Sequence, residues 1–440
     1  MRKDGLVTSP STSPVHAEPA EPVGLALRGR VVLPHEVLDD GVVVVEGAAI
    51  AWVGPAGDVP ATWSALVPAP DASGSLLLPG LVDVHCHGGG GASFPDALDV
   101  AQARIGAREH LAHGTTSLVA SLVTAPAEVL LARTAVLAEL ADAGELAGIH
   151  LEGPFLSAQR CGAQNPADMQ VGSARLVSQV AQVARGHLAT MTLAPEVPGV
   201  ADGGSAPGST APDDAVAALV AGGALPSIGH TDASAEQVDA AVARAVALLA
   251  GDPRTRGPRP TATHLFNGMR PWHHRDPGPI ASCLAAAARG ELVVELVADG
   301  THLADGTVRS VFDLVGADAI ALVTDAMAAA GMPEGDYRLG PMAVRVADGV
   351  ARILIEEPGD EPEVGAIAGG VAHLMDVVRA VVGAGVPLVE AVRAASGTPA
   401  QVLGRADLGA LEAGRRADVV VTDGELRVLT VLRAGQVLVG

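Results

Sequence analysis

Lysine is almost missing from this chain. Of 28 basic residues among 440, only Lys3 is a lysine. No internal lysine is present for a Schiff base, for a Walker-type phosphate loop, or for a carboxylated lysine bridging two metals. Aromatic residues are scarce too: three Trp, one Tyr and four Phe. The core must therefore be built from Ala, Val and Leu. Cysteine is limited to Cys86, Cys161 and Cys283, too few and too odd a number for a disulfide framework. That points to a reducing, cytoplasmic compartment. The long apolar windows are broken by Gly, Pro, His or charge, so no membrane span is expected. The net charge of −22 excludes nucleic acid as a natural partner, because a phosphate backbone needs a basic face. A small phosphorylated substrate needs only a local cluster of donors.

What is present falls into three parts. Residues 1–22 are rich in Ser, Thr, Pro and Glu, without an apolar run like a signal peptide, and read as a flexible tail. Residues 23–75 and 401–440 carry short Val-rich runs separated by Gly and Asp turns, expected to form one small β-sandwich domain from both termini. Between them, over 76–400, apolar runs alternate with Ala-rich helical stretches. The runs are Leu76–His87, Thr115–Leu122, Gly148–Glu152, Leu188–Glu196, Leu225–His230, Thr261–His264, Leu292–Ala298 and Ile320–Asp325. Continuous apolar strands between helices indicate a parallel sheet buried on both faces. Eight such units predict an α/β fold, a (β/α)8 TIM-type barrel. An open doubly wound sheet is disfavoured, since no Gly-x-Gly-x-x-Gly turn follows the first run. Residues 202–212 read as a surface loop and 340–363 as a hairpin insertion.

The polar residues gather at the ends of these runs. His85 and His87 share one face of the first strand, with Cys86 on the other. Glu152, Glu196, His230, His264 and Asp325 end later strands, and Asp299 and His302 follow the seventh. Each alone has a mundane reading, as a cap or a packed core group. Together they fall on the face where such barrels place their active sites. Neutral imidazoles with carboxylates suit a divalent ion such as Zn²⁺, which makes hydroxide available near neutral pH. A carboxylate must then move the proton, and Asp325 is the candidate. His110, His113 and His187 read as surface residues, and His373 as a helix start without a role.

These residues and their flanks resemble the amidohydrolase superfamily, and within it the N-acetylglucosamine-6-phosphate deacetylase family. The His-x-His pair marks the superfamily. His150-Leu151-Glu152-Gly153-Pro154-Phe155 and Thr263-His264-Leu265-Phe266-Asn267-Gly268-Met269 mark the narrower family. The resemblance implies that Glu152, His230 and His264 hold the principal metal, most simply Zn²⁺, with Fe²⁺, Co²⁺ or Mn²⁺ as options. It makes Asp325 the acid/base. Asn267 and Gly268 would contact the sugar phosphate, Arg275 would pair with the phosphate, and His302 would reach the sugar or its acetamido carbonyl. Ile367, Ala368 and Gly369 would line the acetyl pocket. A homodimer is implied, with the phosphate end near the subunit interface.

The chain also departs from relatives in two places. Some members carry Gln and Asn where His85 and His87 stand and keep one metal; here both histidines are present, which leaves one or two ions per subunit open, with Glu152 or Asp325 bridging a second. Ala163-Gln164 replaces a Thr-His pair, which leaves only a backbone contact from Ala163. The implied reaction is metal-dependent deacetylation of a 2-acetamido sugar 6-phosphate, in amino-sugar catabolism or cell-wall recycling. A D-aminoacylase or cyclic amidase is the rival. Its usual bridging lysine is absent, and Glu152 takes that place. A non-catalytic sugar-phosphate sensor would have no use for Asp325.

Overall fold

The computed structural model describes residues 24–70, 74–203, 213–252, 255–355 and 363–439. The expected N-terminal tail, most of the 202–212 loop and the turn of the expected hairpin lie outside them. Eight parallel strands run in the order 320–322, 293–296, 261–262, 225–228, 188–193, 148–152, 115–122 and 81–86. The ring closes where Cys86 bridges Ala326 in parallel and Asp325 N donates to His85 O at 2.9 Å. A helix follows each strand, from Val100–Ala112 to Leu374–Gly383. Several starts are fixed by side-chain caps that satisfy otherwise orphaned amides: Asp99, Ser173, Asp214 and Ser234, the last in a capping box with Gln237. The barrel strands are buried along their length, as their unbroken apolar composition requires.

The first apolar run is two strands rather than one. Leu76–Pro79 pairs antiparallel with Val419–Thr422, and only Leu81–Cys86 enters the barrel. Gly80 turns the chain between them, in a space where a Cβ would come within 2.2 Å of Thr116 Oγ1. Unbroken hydrophobicity hides this switch, because both halves are buried. The β-rich ends form one seven-stranded sheet, order 436–439, 428–433, 419–422, 76–79, 25–32, 37–46 and 49–55. It curls so that Val31, Val43, Ile50, Leu77, Val419 and Leu432 share one core; the layers expected of a sandwich are parts of this continuous sheet. The expected hairpin is larger as well. Gly335–Leu339, Met342–Ala347, Val350–Ile355 and Glu363–Ile367 make a four-stranded antiparallel sheet. Its apolar face packs on Val123, Met327 and Ala329 beside the barrel mouth. The helix Gly397–Val402 straddles the expected boundary at 400.

Candidate metal and active site

The strand-end residues converge at the barrel mouth. Glu152 ends the third strand, and its Oε1 lies 2.9 Å from His230 Nε2 and 2.8 Å from His264 Nε2. Those two ring nitrogens are 3.2 Å apart. Glu152 Oε2 faces the other way and lies 3.1 Å from His87 Nε2. His85 Nε2 is 3.1 Å from His87 Nε2, and each is 3.3 Å from Asp325 Oδ1. Two donor triads result, Glu152–His230–His264 and His85–His87–Asp325, with Glu152 extending an oxygen toward each.

Local backbone geometry makes this convergence. His230, His264 and Asp325 take positive φ of 47°, 27° and 47°. Each sits where the chain leaves its strand, and the left-handed turn costs about 1–3 kcal/mol per residue, which the surrounding barrel must sustain. Gly268, with φ of 59°, leaves the space behind His230, where a Cβ would come within 2.6 Å of Nδ1. Gly369, with φ of 89°, lies so close to Asp325 that a Cβ would meet its carbonyl oxygen at 2.6 Å.

Electrostatics show that the cluster requires positive charge. His230 donates from Nδ1 to Arg160 O at 2.7 Å, and His85 from Nδ1 to Glu295 Oε2 at 3.0 Å. With those protons committed, the Nε2 lone pairs face carboxylate oxygens. Either added protons or a cation must stand between them. Burial pushes His85 down, but the charge of Asp325 and the bond to Glu295 prevail, and its pKa is raised to about 10. Burial alone would raise Glu152 and Asp325, yet the adjacent imidazoles hold both well below the usual carboxylate range. Two all-N/O triads, each with one imidazole whose tautomer is fixed through Nδ1, fit borderline divalent ions such as Zn²⁺.

The residues expected from sequence separate into those at the cavity and those away from it. Ala163, Asn267, Gly268, His302, Ile367 and Gly369 line a cavity of about 250 Å³ together with His87, Glu152, His230, His264 and Asp325. Asp299 accepts from His302 Nδ1 at 2.9 Å, leaving Nε2 as the nitrogen available to a ligand. Ala368 is not in the lining; it is fully buried in the core beneath the four-stranded sheet. Arg275 is also not in the lining. It lies on the exposed segment 271–277, beside His274 Nε2 at 2.8 Å. Glu196 stands apart from the triads and accepts from Thr231 Oγ1 and Asp232 N, both at 2.6 Å, shaping the turn after His230.

Three contacts escaped the sequence reading. Glu295 lies in the middle of an apolar strand, was given no role from the sequence, and is 1 % exposed and orients His85. A lone acid in an otherwise apolar barrel strand was the available signal. Gln164, weighed from the sequence only for contact to the substrate, donates to Glu152 Oε2 at 2.6 Å and accepts from Thr124 N at 2.8 Å. His110, expected at the surface, is fully buried and bonded to Gly88 O at 2.9 Å. Partners that orient a metal-binding imidazole typically change affinity or activity about 10–100-fold when removed. Glu295→Gln should therefore lower metal retention and turnover by about that factor while leaving the fold intact, as dialysis against chelator and circular dichroism would register.

Fold and donor set together define the class: a (β/α)8 hydrolase barrel with a metal-capable centre at its mouth. Residues 76–202 and 290–438 match the model of the amidohydrolase family. A curated relative from Lysinibacillus sphaericus, an N-acetylglucosamine-6-phosphate deacetylase, is 35% identical over 84% of this chain and 87% of its own. One from Bacillus subtilis, of the same name, is 31% identical over 82% of this chain and 84% of its own. The crystal structure of the Mycobacterium smegmatis N-acetyl-D-glucosamine-6-phosphate deacetylase superposes with a TM-score of 0.80 at 36% identity, covering 94% of this chain and all of that one. A mutant of that protein has been solved in complex with N-acetyl-D-glucosamine-6-phosphate. The chain belongs to the amidohydrolase family, among its N-acetylglucosamine-6-phosphate deacetylases. No helix among the described residues is long and apolar enough to cross a membrane.

Proposed function

We propose that the chain hydrolyses the acetamido group of N-acetylglucosamine 6-phosphate to glucosamine 6-phosphate and acetate, in amino-sugar catabolism or cell-wall recycling. The observation that carries this is Asp325, a buried carboxylate placed against two imidazoles at the mouth of a barrel from this family. Glu152, His230 and His264 would hold one divalent ion, and His85 and His87, with oxygens from Glu152 or Asp325, a second. Bound there, the cation supplies Lewis acidity, activating water and polarising the acetamido carbonyl.

The chain's own residues do the rest. Asp325, held ionised, takes a proton as water adds to the carbonyl carbon, and returns it to the amine nitrogen as the C–N bond breaks. His302, fixed by Asp299, offers Nε2 to the substrate's acetamido or sugar oxygens. Ala163, Ile367 and Gly369 supply a small, largely apolar wall fitted to an acetyl methyl. Asn267 and Gly268 contact the sugar. Arg275 is the phosphate's partner, where a guanidinium fork matches its oxygens; from its exposed loop it serves a homodimer with the phosphate end near the interface. All three cysteines are unpaired, in keeping with a cytoplasmic enzyme.

The test is acetate release from N-acetylglucosamine 6-phosphate by purified protein, before chelator, after it, and after Zn²⁺ is restored. Release that is lost and recovered supports the reading; none at any metal loading overturns it. In the same assay, His85→Gln with His87→Asn should weaken turnover and lower metal content without abolishing either. Complete loss of both would show that the strand-one position is indispensable.

A further inference from the structure

Behind the first barrel strand, outside the catalytic cavity, lies a second group of metal-ligand side chains. Glu109 and His113 are one turn apart at the end of the helix Val100–Ala112, and so share a face. His373 caps the start of the last barrel helix, Leu374–Gly383. Glu109 Oε1 lies 2.9 Å from His373 Nε2 and 3.3 Å from His113 Nδ1. The two imidazoles stack with centroids 3.6 Å apart. Ligands on one tetrahedral zinc, each about 2.0–2.1 Å from it, stand about 3.3 Å from one another; Glu109 Oε1 and His373 Nε2 are already near that spacing, and His113 joins them by turning its ring.

We propose that Glu109, His113 and His373 form a peripheral structural site for Zn²⁺ or a similar borderline divalent cation. Supporting groups are already in place. His113 Nδ1 donates to Glu109 O at 2.8 Å, which fixes the tautomer whose Nε2 is free to ligate. Zinc-bound imidazoles commonly hold their other N–H in this way. Asp376 Oδ2 lies 3.4 Å from His373 Nδ1, within reach to accept its N–H once His373 Nε2 turns to the ion. His113 is partly exposed, which gives its ring room to open from the stack. The neighbouring His110 forms an edge contact with His373 at 5.5 Å, and its Nδ1 is buried without a hydrogen-bond partner.

The position suggests what the ion does. Glu109 and His113 belong to the first barrel unit and His373 to the last, so one ion would tie together the two units that close the ring. Glu109 also packs against Gly331, where a Cβ would come within 2.1 Å of Oε1, on the loop that leaves the eighth strand. Binding would stabilise the closing seam, since a cation held only by the folded chain raises its stability by mass action.

The experiment is metal counting on full-length protein stripped with chelator, reloaded with Zn²⁺ and desalted, beside His113→Ala, Glu109→Gln and His273→Ala/His274→Ala. The wild type should retain one more equivalent than His113→Ala or Glu109→Gln, with deacetylase turnover unchanged. The His273→Ala/His274→Ala protein should retain the full count. Zn²⁺ should raise the melting temperature of the wild type more than that of His113→Ala. Equal metal content in the wild type and both seam variants would overturn the proposal. So would loss of the equivalent from the His273→Ala/His274→Ala protein alone, or loss at the seam accompanied by loss of turnover.

Discussion

Asp325→Asn should lower kcat by about 10²–10⁴-fold, the range that a positioned acid/base group contributes, with KM for the sugar phosphate little changed. The isosteric amide keeps the shape of the site but cannot take a proton at the oxygen that faces His85 and His87, each 3.3 Å away. Because the Glu152–His230–His264 triad does not include Asp325, an ion bound there should remain. A variant that keeps metal and structure but loses turnover would confirm proton transfer as its task. Near-normal turnover would remove Asp325 from the mechanism.

Glu152→Gln should have the broader effect: loss of both activity and metal. This carboxylate alone extends one oxygen to His230 and His264 and the other to His87. It is 3 % exposed, and its charge is what the surrounding imidazoles are arranged around. An amide in its place removes that charge and turns an N–H toward one triad, so neither triad keeps its carboxylate bridge. Removing one partner from a buried charge cluster typically costs about 3–5 kcal/mol. Metal analysis after desalting, with a thermal melt, would read both consequences. A variant that retains full metal content and turnover would show that the bridge is dispensable.

The two variants test different levels of legibility. Asp325 and Glu152 could be found in the sequence because a barrel places strand-end residues on one face, and the strands are recognisable from their apolar runs. Glu295 could not be ranked the same way. It occupies a strand interior, and its value depends on His85, 210 residues away, being brought within 3.0 Å by ring closure. Gln164 departs from the usual pair, and a bond from its amide to the Glu152 carboxylate is a contact no motif records. Arg275 shows the converse: the motif is legible, but in this chain its side chain lies outside the cavity on an exposed loop. The Leu76–His87 run reads as one strand because hydrophobicity does not record which sheet buries it; Gly80 marks the change.

By itself, the sequence determined the class of fold and the donor set. Alternating buried strands and Ala-rich helices have few ways to satisfy their backbones and apolar faces other than a closed barrel, and that closure aligns the strand-end histidines and carboxylates. Tertiary structure alone decided how those donors divide. The left-handed turns at His230, His264 and Asp325, the two-way reach of Glu152 and the support from Glu295 and Gln164 arise from contacts between distant segments. So does the Glu109–His113–His373 cluster, whose members become neighbours only because the first and last units of the ring meet.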